Sequence, residues 1–218
     1  MRDIMKKVGL MVFDLDGTLI DSGDDLATAV NHALKEMSLP PLDRDVITGF
    51  VGDGGRKLIE RSLGDGHNGR LAEAYNRFMS YYKEHSLDRT CLYPGVTDVL
   101  RHFGDTIKVI VTNKQEGPSR TIARALGIDM EFADIIGRDS TPFKKPDPSL
   151  MVMLAERYKR DIKETVVVGD GWNDIKLAKN AGAISCTLLN GLGPRERLLE
   201  LHPDYCCEDI TELKELFC

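Results

Sequence analysis

The sequence predicts an α/β protein, a Rossmann-like parallel-sheet core interrupted early by an all-helical insert. Three observations carry this prediction. Short apolar runs without polar interruption recur along the chain, as strands covered on both faces require. Helical periodicity fills the intervals between the later runs, the alternation that builds a parallel sheet with helices on both faces. The interval between the first run and Ile107, by contrast, holds helical patterns and no convincing strand.

The first run, Gly9 to Phe13, ends in Asp14-Leu15-Asp16-Gly17-Thr18. Two acids and a glycine thus stand at a strand's carboxyl end, where open α/β sheets place their ligand crevice. Asp and Gly are also ordinary turn residues. A calcium loop is excluded, because its glycine and glutamate positions, counted from Asp14, hold Leu19 and Asp25. In the insert, Leu26, Ala29, Val30, Ala33, Leu34 and Met37 recur at helical spacing over Asp24 to Met37. Leu71, Tyr75, Phe78, Met79 and Tyr82 repeat the pattern, and Leu39-Pro40-Pro41 and the run from Gly64 to Gly69 punctuate it. Further strands are expected at Ile107 to Val111, Ala133 to Ile136, Thr165 to Val168 and Ile184 to Leu188. Helices are expected near Pro118 to Leu126, Pro148 to Tyr158 and Asp174 to Ala181. Right-handed crossovers then set every strand's carboxyl end on one side. The expected division is residues 1–20 with 87–218 as core and residues 21–86 as insert.

Bulk properties bound the function. The 218 residues, 29% charged and 42% hydrophobic, are those of a globular enzyme and not of a disordered or fibrous chain. A formal charge of −6 argues against broad nucleic-acid binding. An anionic substrate would need a local positive site, which a metal ion and one or two lysines can supply. Five cysteines without C-x-x-C spacing suggest neither a disulfide framework nor a zinc site. No stretch approaches the roughly twenty apolar residues of a membrane span, and the apolar N-terminal segment meets Asp14 too early for a secretory signal. No membrane partner and a cytoplasmic location are expected; the oligomeric state is left open.

Three later motifs stand at strand ends or ahead of helices. Thr112-Asn113-Lys114 follows the run Ile107 to Val111, where a hydroxyl can bond an anionic oxygen and an Asn can orient its neighbours. Lys144-Lys145-Pro146-Asp147-Pro148 reads either as a solvated basic turn or as a source of one buried ammonium. Val168-Gly169-Asp170-Gly171-Trp172-Asn173-Asp174 sets two acids four apart behind a buried strand. In this order, behind the Asp14-Leu15-Asp16-Gly17-Thr18 motif, these segments resemble the motifs of the haloacid dehalogenase superfamily, in its phosphatase branch. With the helical insert as a cap and a glycine-rich cap loop, the chain looks like the phosphoglycolate phosphatase subgroup.

The resemblance implies a HAD-like fold and a magnesium-dependent phosphatase acting on a small phosphorylated metabolite. It assigns Asp14 as the nucleophile that forms an aspartyl-phosphate and Asp16 as general acid and then base. Thr112, Asn113 and Lys145 would contact the phosphoryl group, with Lys145 favoured over Lys144. Magnesium would lie among Asp14, Asp16 and Asp170, with Asp174 behind them holding a metal water or Lys145. Gly171 departs from the Ser or Thr common in the family, removing a hydroxyl but no ligand. In the cap, Val51-Gly52-Asp53-Gly54-Gly55-Arg56-Lys57 is not a dinucleotide fingerprint, since no strand precedes it. It reads either as a loop opening a helix or as a specificity loop whose Arg56 grips a second anionic group.

Two other outcomes fit part of the pattern. A mutase resembling β-phosphoglucomutase shares the four motifs and returns the phosphoryl group to sugar. A phospho-accepting receiver module also phosphorylates a strand-end aspartate, but such modules are shorter and have no cap.

Overall fold

The computed structural model describes residues 5–218. The chain opens with β1 (Leu10–Phe13) and β2 (Ile20–Asp21), then turns into helices α1 (Gly23–Glu36), α2 (Arg44–Thr48), α3 (Gly55–Leu63) and α4 (Leu71–His85). It returns through β3 (Cys91–Leu92) and α5 (Val96–His102) into β4 (Ile107–Val111), α6 (Glu116–Ala125) and β5 (Asp134–Ile136). It then runs through α7 (Ser149–Tyr158), β6 (Thr165–Gly169), α8 (Trp172–Ala181), β7 (Ile184–Leu188), α9 (Arg195–Leu199), β8 (Tyr205–Cys207) and α10 (Leu213–Leu216).

Six strands form one sheet in the order β5-β4-β1-β6-β7-β8, and every pairing is parallel. The five expected core strands are all present within a residue at each end. The sheet gains β8, which the sequence pattern does not predict: three residues at an edge, one of them exposed, carry too short a pattern to register. The apolar runs are continuous because both faces are covered. Met11, Phe13, Ile110, Val166 and Val168 pack under Val96, Val99, Leu100, Ile122 and Phe217 on one side. Leu10, Val12, Val109, Val111 and Val167 pack under Leu150, Met151, Leu154, Leu177 and Ala178 on the other. Strand order reverses beside β1, with β4 on one flank and β6 on the other, and such a switch point opens a crevice at the strands' carboxyl ends.

The insert has its own apolar cluster, drawn from Leu26 through Tyr82 and centred on Val30, Ile47, Ile59, Phe78 and Tyr82. Helix α1 presents Leu26, Ala29, Val30, Ala33 and Leu34 on one stripe, the spacing that packs it along α4. The interval read as free of strands holds two: β2 and β3 pair antiparallel, Ile20 against Leu92 and Asp21 against Cys91. Beside this ribbon, the buried Asp25 carboxylate accepts from the backbone N–H groups of Arg89 (3.1 Å) and Thr90 (2.9 Å) and from the Thr90 hydroxyl (2.7 Å). Both crossings between insert and sheet are thereby tied together.

The five cysteines are free thiols, although Cys186 and Cys207 approach to 3.6 Å between sulfurs. Among the described residues, no helix is long and apolar enough to cross a membrane.

Candidate active site

The carboxyl ends of β1, β4, β5 and β6 converge under α3 and α4 of the insert. Asp14 continues β1 directly, and its N–H donates to the Val168 carbonyl at 2.9 Å, which fixes it against β6. Its Oδ1 accepts from Leu15 N–H at 2.7 Å and its Oδ2 faces Lys145 Nζ at 2.8 Å. Gly17 turns the chain with φ +82°, a left-handed conformation that suits glycine, and any Cβ there would collide with the Asp170 carboxylate. The conformation and the close approach both require Gly.

Lys145 is 4% exposed and lies between two acids, 2.8 Å from Asp14 and 2.7 Å from Asp174. Burial opposes its charge, but the Asp14 and Asp174 carboxylates hold the ammonium well above the ordinary lysine range. Lys144 is exposed. Asp174 sits in the first turn of α8, where its Oδ2 accepts from Gly171 N–H at 3.1 Å. Asp170 Oδ1 accepts from the Thr18 hydroxyl at 2.7 Å, and its Oδ2 accepts from Leu192 N–H at 2.8 Å and Gly193 N–H at 3.3 Å.

Asp14, Asp170 and Asp174 are all buried, and one oxygen of each lies within 4.8 Å of the others. Three carboxylates therefore face one ammonium. Burial and the neighbouring Asp14 charge push the Asp170 carboxyl up to about 6, and burial raises Asp174 also. A cluster of hard oxygen donors with excess negative charge, each acid oriented by N–H or O–H donors, fits a divalent cation of the magnesium type. Bound there, such an ion would offset the charge that burial penalises.

Asp16 lies apart from this cluster, although the sequence reading placed it among the metal-binding acids. Its carboxylate is held by Lys114 Nζ, at 2.5 Å to Oδ1 and 2.7 Å to Oδ2, and accepts from the Ser22 hydroxyl at 2.6 Å. The pair is only 9% and 12% exposed, with Lys114 5.0 Å from the Tyr82 ring centroid. Burial disfavours the Lys114 charge, but Asp16 keeps it well above the ordinary lysine range. Each acid of the motif that follows β1 thus has its own lysine. The sequence reading gave Lys114 no role; its signal was its place directly after Thr112-Asn113 at a strand end.

Thr112 and Asn113 line a cavity of about 60 Å³ together with Asp14, Asp16, Lys114 and Arg138, while Leu58, Tyr75 and Phe78 of the insert supply an apolar wall. Asn113 and Asn173 both donate to the Gly52 carbonyl, at 2.8 and 3.1 Å, and Asn173 also donates to Asp53 at 2.9 Å. These contacts clamp the glycine-rich loop of the insert onto the strand ends. Arg56 does not join them. Helix α3 turns Leu58, Ile59 and Leu63 inward, so Arg56 falls off the buried face, is exposed and is not among the cavity-lining residues. Arg138, one residue beyond Gly137 after β5, reaches the cavity instead.

The family model described as haloacid dehalogenase-like hydrolase matches residues 11–188. A phosphoglycolate phosphatase of Vibrio cholerae is 36% identical over 97% of this chain and 98% of the relative. One from Chromobacterium violaceum is 35% identical, covering 97% of each. The crystal structure of a protein described as a predicted phosphoglycolate phosphatase from Haemophilus somnus superposes with a TM-score of 0.91 at 30% identity, covering 96% of this chain and 98% of that one.

Proposed function

The chain belongs to the haloacid dehalogenase-like hydrolase family and is a phosphoric monoester hydrolase; from that premise we propose a magnesium-dependent phosphatase that works through an aspartyl-phosphate. One observation carries this reading. A buried strand-end carboxylate, Asp14, stands 2.8 Å from a buried lysine that is itself 2.7 Å from Asp174, within a three-acid cluster.

Asp14 attacks the phosphorus and the ester P–O bond breaks, placing the phosphoryl group on the Asp14 carboxylate. Lys145 Nζ neutralises charge on the phosphoryl oxygens, and the Thr112 hydroxyl and Asn113 position them. Asp16 in its acid form donates its proton to the leaving alkoxide, and the carboxylate so formed is the one that Lys114 and Ser22 hold. In the second half, Asp16 takes a proton from a water whose oxygen attacks phosphorus, and Asp14 leaves as carboxylate. Asp14 and Asp170 would hold the magnesium ion, with Asp174 anchoring Lys145 beside them; such an ion would supply charge stabilisation to the transferring group. The helices between β2 and β3 act as the cap that covers the leaving group. The relatives named for phosphoglycolate make a short phosphorylated acid the first substrate to test.

The decisive experiment measures inorganic phosphate release from phosphoglycolate with and without magnesium, and traps phosphoenzyme by rapid quench. Label on wild type but not on Asp14→Asn supports the covalent route. Turnover that survives thorough chelation, or conversion of glucose 1-phosphate to its isomer in place of phosphate release, overturns the reading.

A further inference from the structure

Two cationic side chains line the cavity, Lys114 and Arg138. Lys114 is committed to Asp16 through both carboxylate oxygens. Arg138 is not committed. Its backbone N–H donates to the Lys114 carbonyl at 2.9 Å, but among the described residues its guanidinium makes no ion pair and donates no hydrogen bond. The half-buried cation thus faces a cavity whose acids already have partners: Asp14 has Lys145, and Asp16 has Lys114. An uncompensated charge held away from solvent is costly unless something pairs with it.

The loop above it makes room for that charge. Gly54 has φ +87°, and a Cβ built on it would lie 2.6 Å from the Asn113 carbonyl oxygen and 2.8 Å from Arg138 Nη1. The missing side chain is thus what lets the guanidinium lie between insert and sheet. Asn113 and Asn173 hold the loop there through Gly52. Apart from Asp14 and Asp16, none of the lining residues, Leu58, Tyr75, Phe78 and Gln115 among them, carries a negative charge to pair with the guanidinium. A planar fork of N–H donors in a partly dry cavity is matched by a carboxylate, which accepts it bidentately.

We propose that Arg138 is the specificity-determining residue of this site, gripping a carboxylate on the leaving group of a short phosphate monoester. The inference rests on the phosphatase reading for its orientation: Lys145 and Asp14 take the phosphoryl end, and Arg138 takes the other. A cavity of about 60 Å³ suits a leaving group of few atoms.

The test compares phosphoglycolate with ethyl phosphate, which lacks the second anion, and phosphoethanolamine, which carries a cation. In Arg138→Gln, the ratio of kcat/KM for phosphoglycolate to that for ethyl phosphate should fall about 10- to 100-fold, chiefly through KM. Arg138→Lys should retain part of the preference. Arg138→Glu should shift the preference towards phosphoethanolamine. An unchanged ratio in Arg138→Gln, whether both rates hold or both fall together, overturns the assignment. Calorimetric binding of phosphonoacetate and methylphosphonate to magnesium-loaded protein separates the two readings. If wild type turns over no ester but binds phosphonoacetate more tightly than methylphosphonate, and Arg138→Gln loses that difference, the phosphatase reading fails and the carboxylate site stands. If esters are hydrolysed but the binding difference is insensitive to Arg138, only the carboxylate site fails.

Discussion

Replacing Lys145 by Met removes the ammonium that faces two buried carboxylates while keeping an unbranched side chain of similar length. At 2.8 Å and 2.7 Å from its partners, each contact is worth roughly 6 kcal/mol before desolvation at an effective dielectric near 20. Most of that is offset by the cost of burying the charges. Removing one partner of such an arrangement typically costs about 3–5 kcal/mol, because the remaining charges stay buried without compensation. The carboxyls of the variant respond by taking up protons. Asp170 already stands at about 6 with Lys145 present, and Asp174 is raised also. Without Lys145 their folded-state values rise further above the unfolded ones, so folding binds protons and stability falls as pH increases. The deficit against wild type should be the full ~3–5 kcal/mol near pH 8 and less than half of that near pH 5. Urea unfolding of the metal-free proteins at the two pH values measures it. Turnover should fall at least about 10²-fold with the lost charge on the phosphoryl oxygens. A deficit that is equal at both pH values, or a larger effect from Lys144→Met, refutes the electrostatic account.

Asp14→Asn should abolish turnover with an unfolding midpoint near that of wild type; a variant keeping a tenth of the rate would exclude the covalent route. Asp16→Ala should lose far more activity on an alkyl phosphate than on p-nitrophenyl phosphate, whose leaving group needs no proton; equal losses would contradict the acid role. Asp170→Ala should abolish the stabilisation that magnesium gives wild type in thermal unfolding, since it removes a buried ligand and leaves Leu192 and Gly193 N–H groups unpaired. Gly54→Ala places a Cβ against Asn113 and Arg138 at positive φ, so it should raise KM for phosphoglycolate at least several-fold. An unchanged KM would mean that the loop does not sit on the strand ends during turnover.

The parts of the site legible in the sequence are those fixed by local rules. Apolar runs broken by acids announce strand ends, and the sheet brings strand ends together whatever lies between them. That is why Asp14, Thr112, Asp170 and Asp174 are placed at or just behind strand ends by the sequence; the preference for Lys145 over Lys144 rests on the family resemblance alone, and Lys145 is the buried one of the two. The illegible parts depend on contacts between the insert and the sheet. Lys114 is buried because α4 sets Tyr82 beside it and β1 turns Asp16 towards it, neither of which leaves a periodicity. Arg138 follows a three-residue strand whose short pattern gave no reason to inspect the next turn. Arg56 drew notice from its place after a glycine-rich loop, but helical phase turns it away from the cavity. Helix α5 has only seven residues and starts from a left-handed Gly95, too little chain for a periodic signal.

The two-residue ribbon between Ile20–Asp21 and Cys91–Leu92 bears on how such a protein can change. Because the chain leaves and re-enters the sheet layer at paired residues, the ends of the excursion are already closed, and its length adds only logarithmically to the cost of closing it. The apolar cluster above the ribbon and the two beneath it share no residue. Substitutions in the upper cluster and in the sheet should therefore combine additively in stability, as distant sites do. A lineage can rewrite the apolar wall that the insert lays over the leaving group without renegotiating the strands that hold the nucleophile or the turn that holds Arg138. New substrate preferences become accessible one helix face at a time, at a constant chemistry.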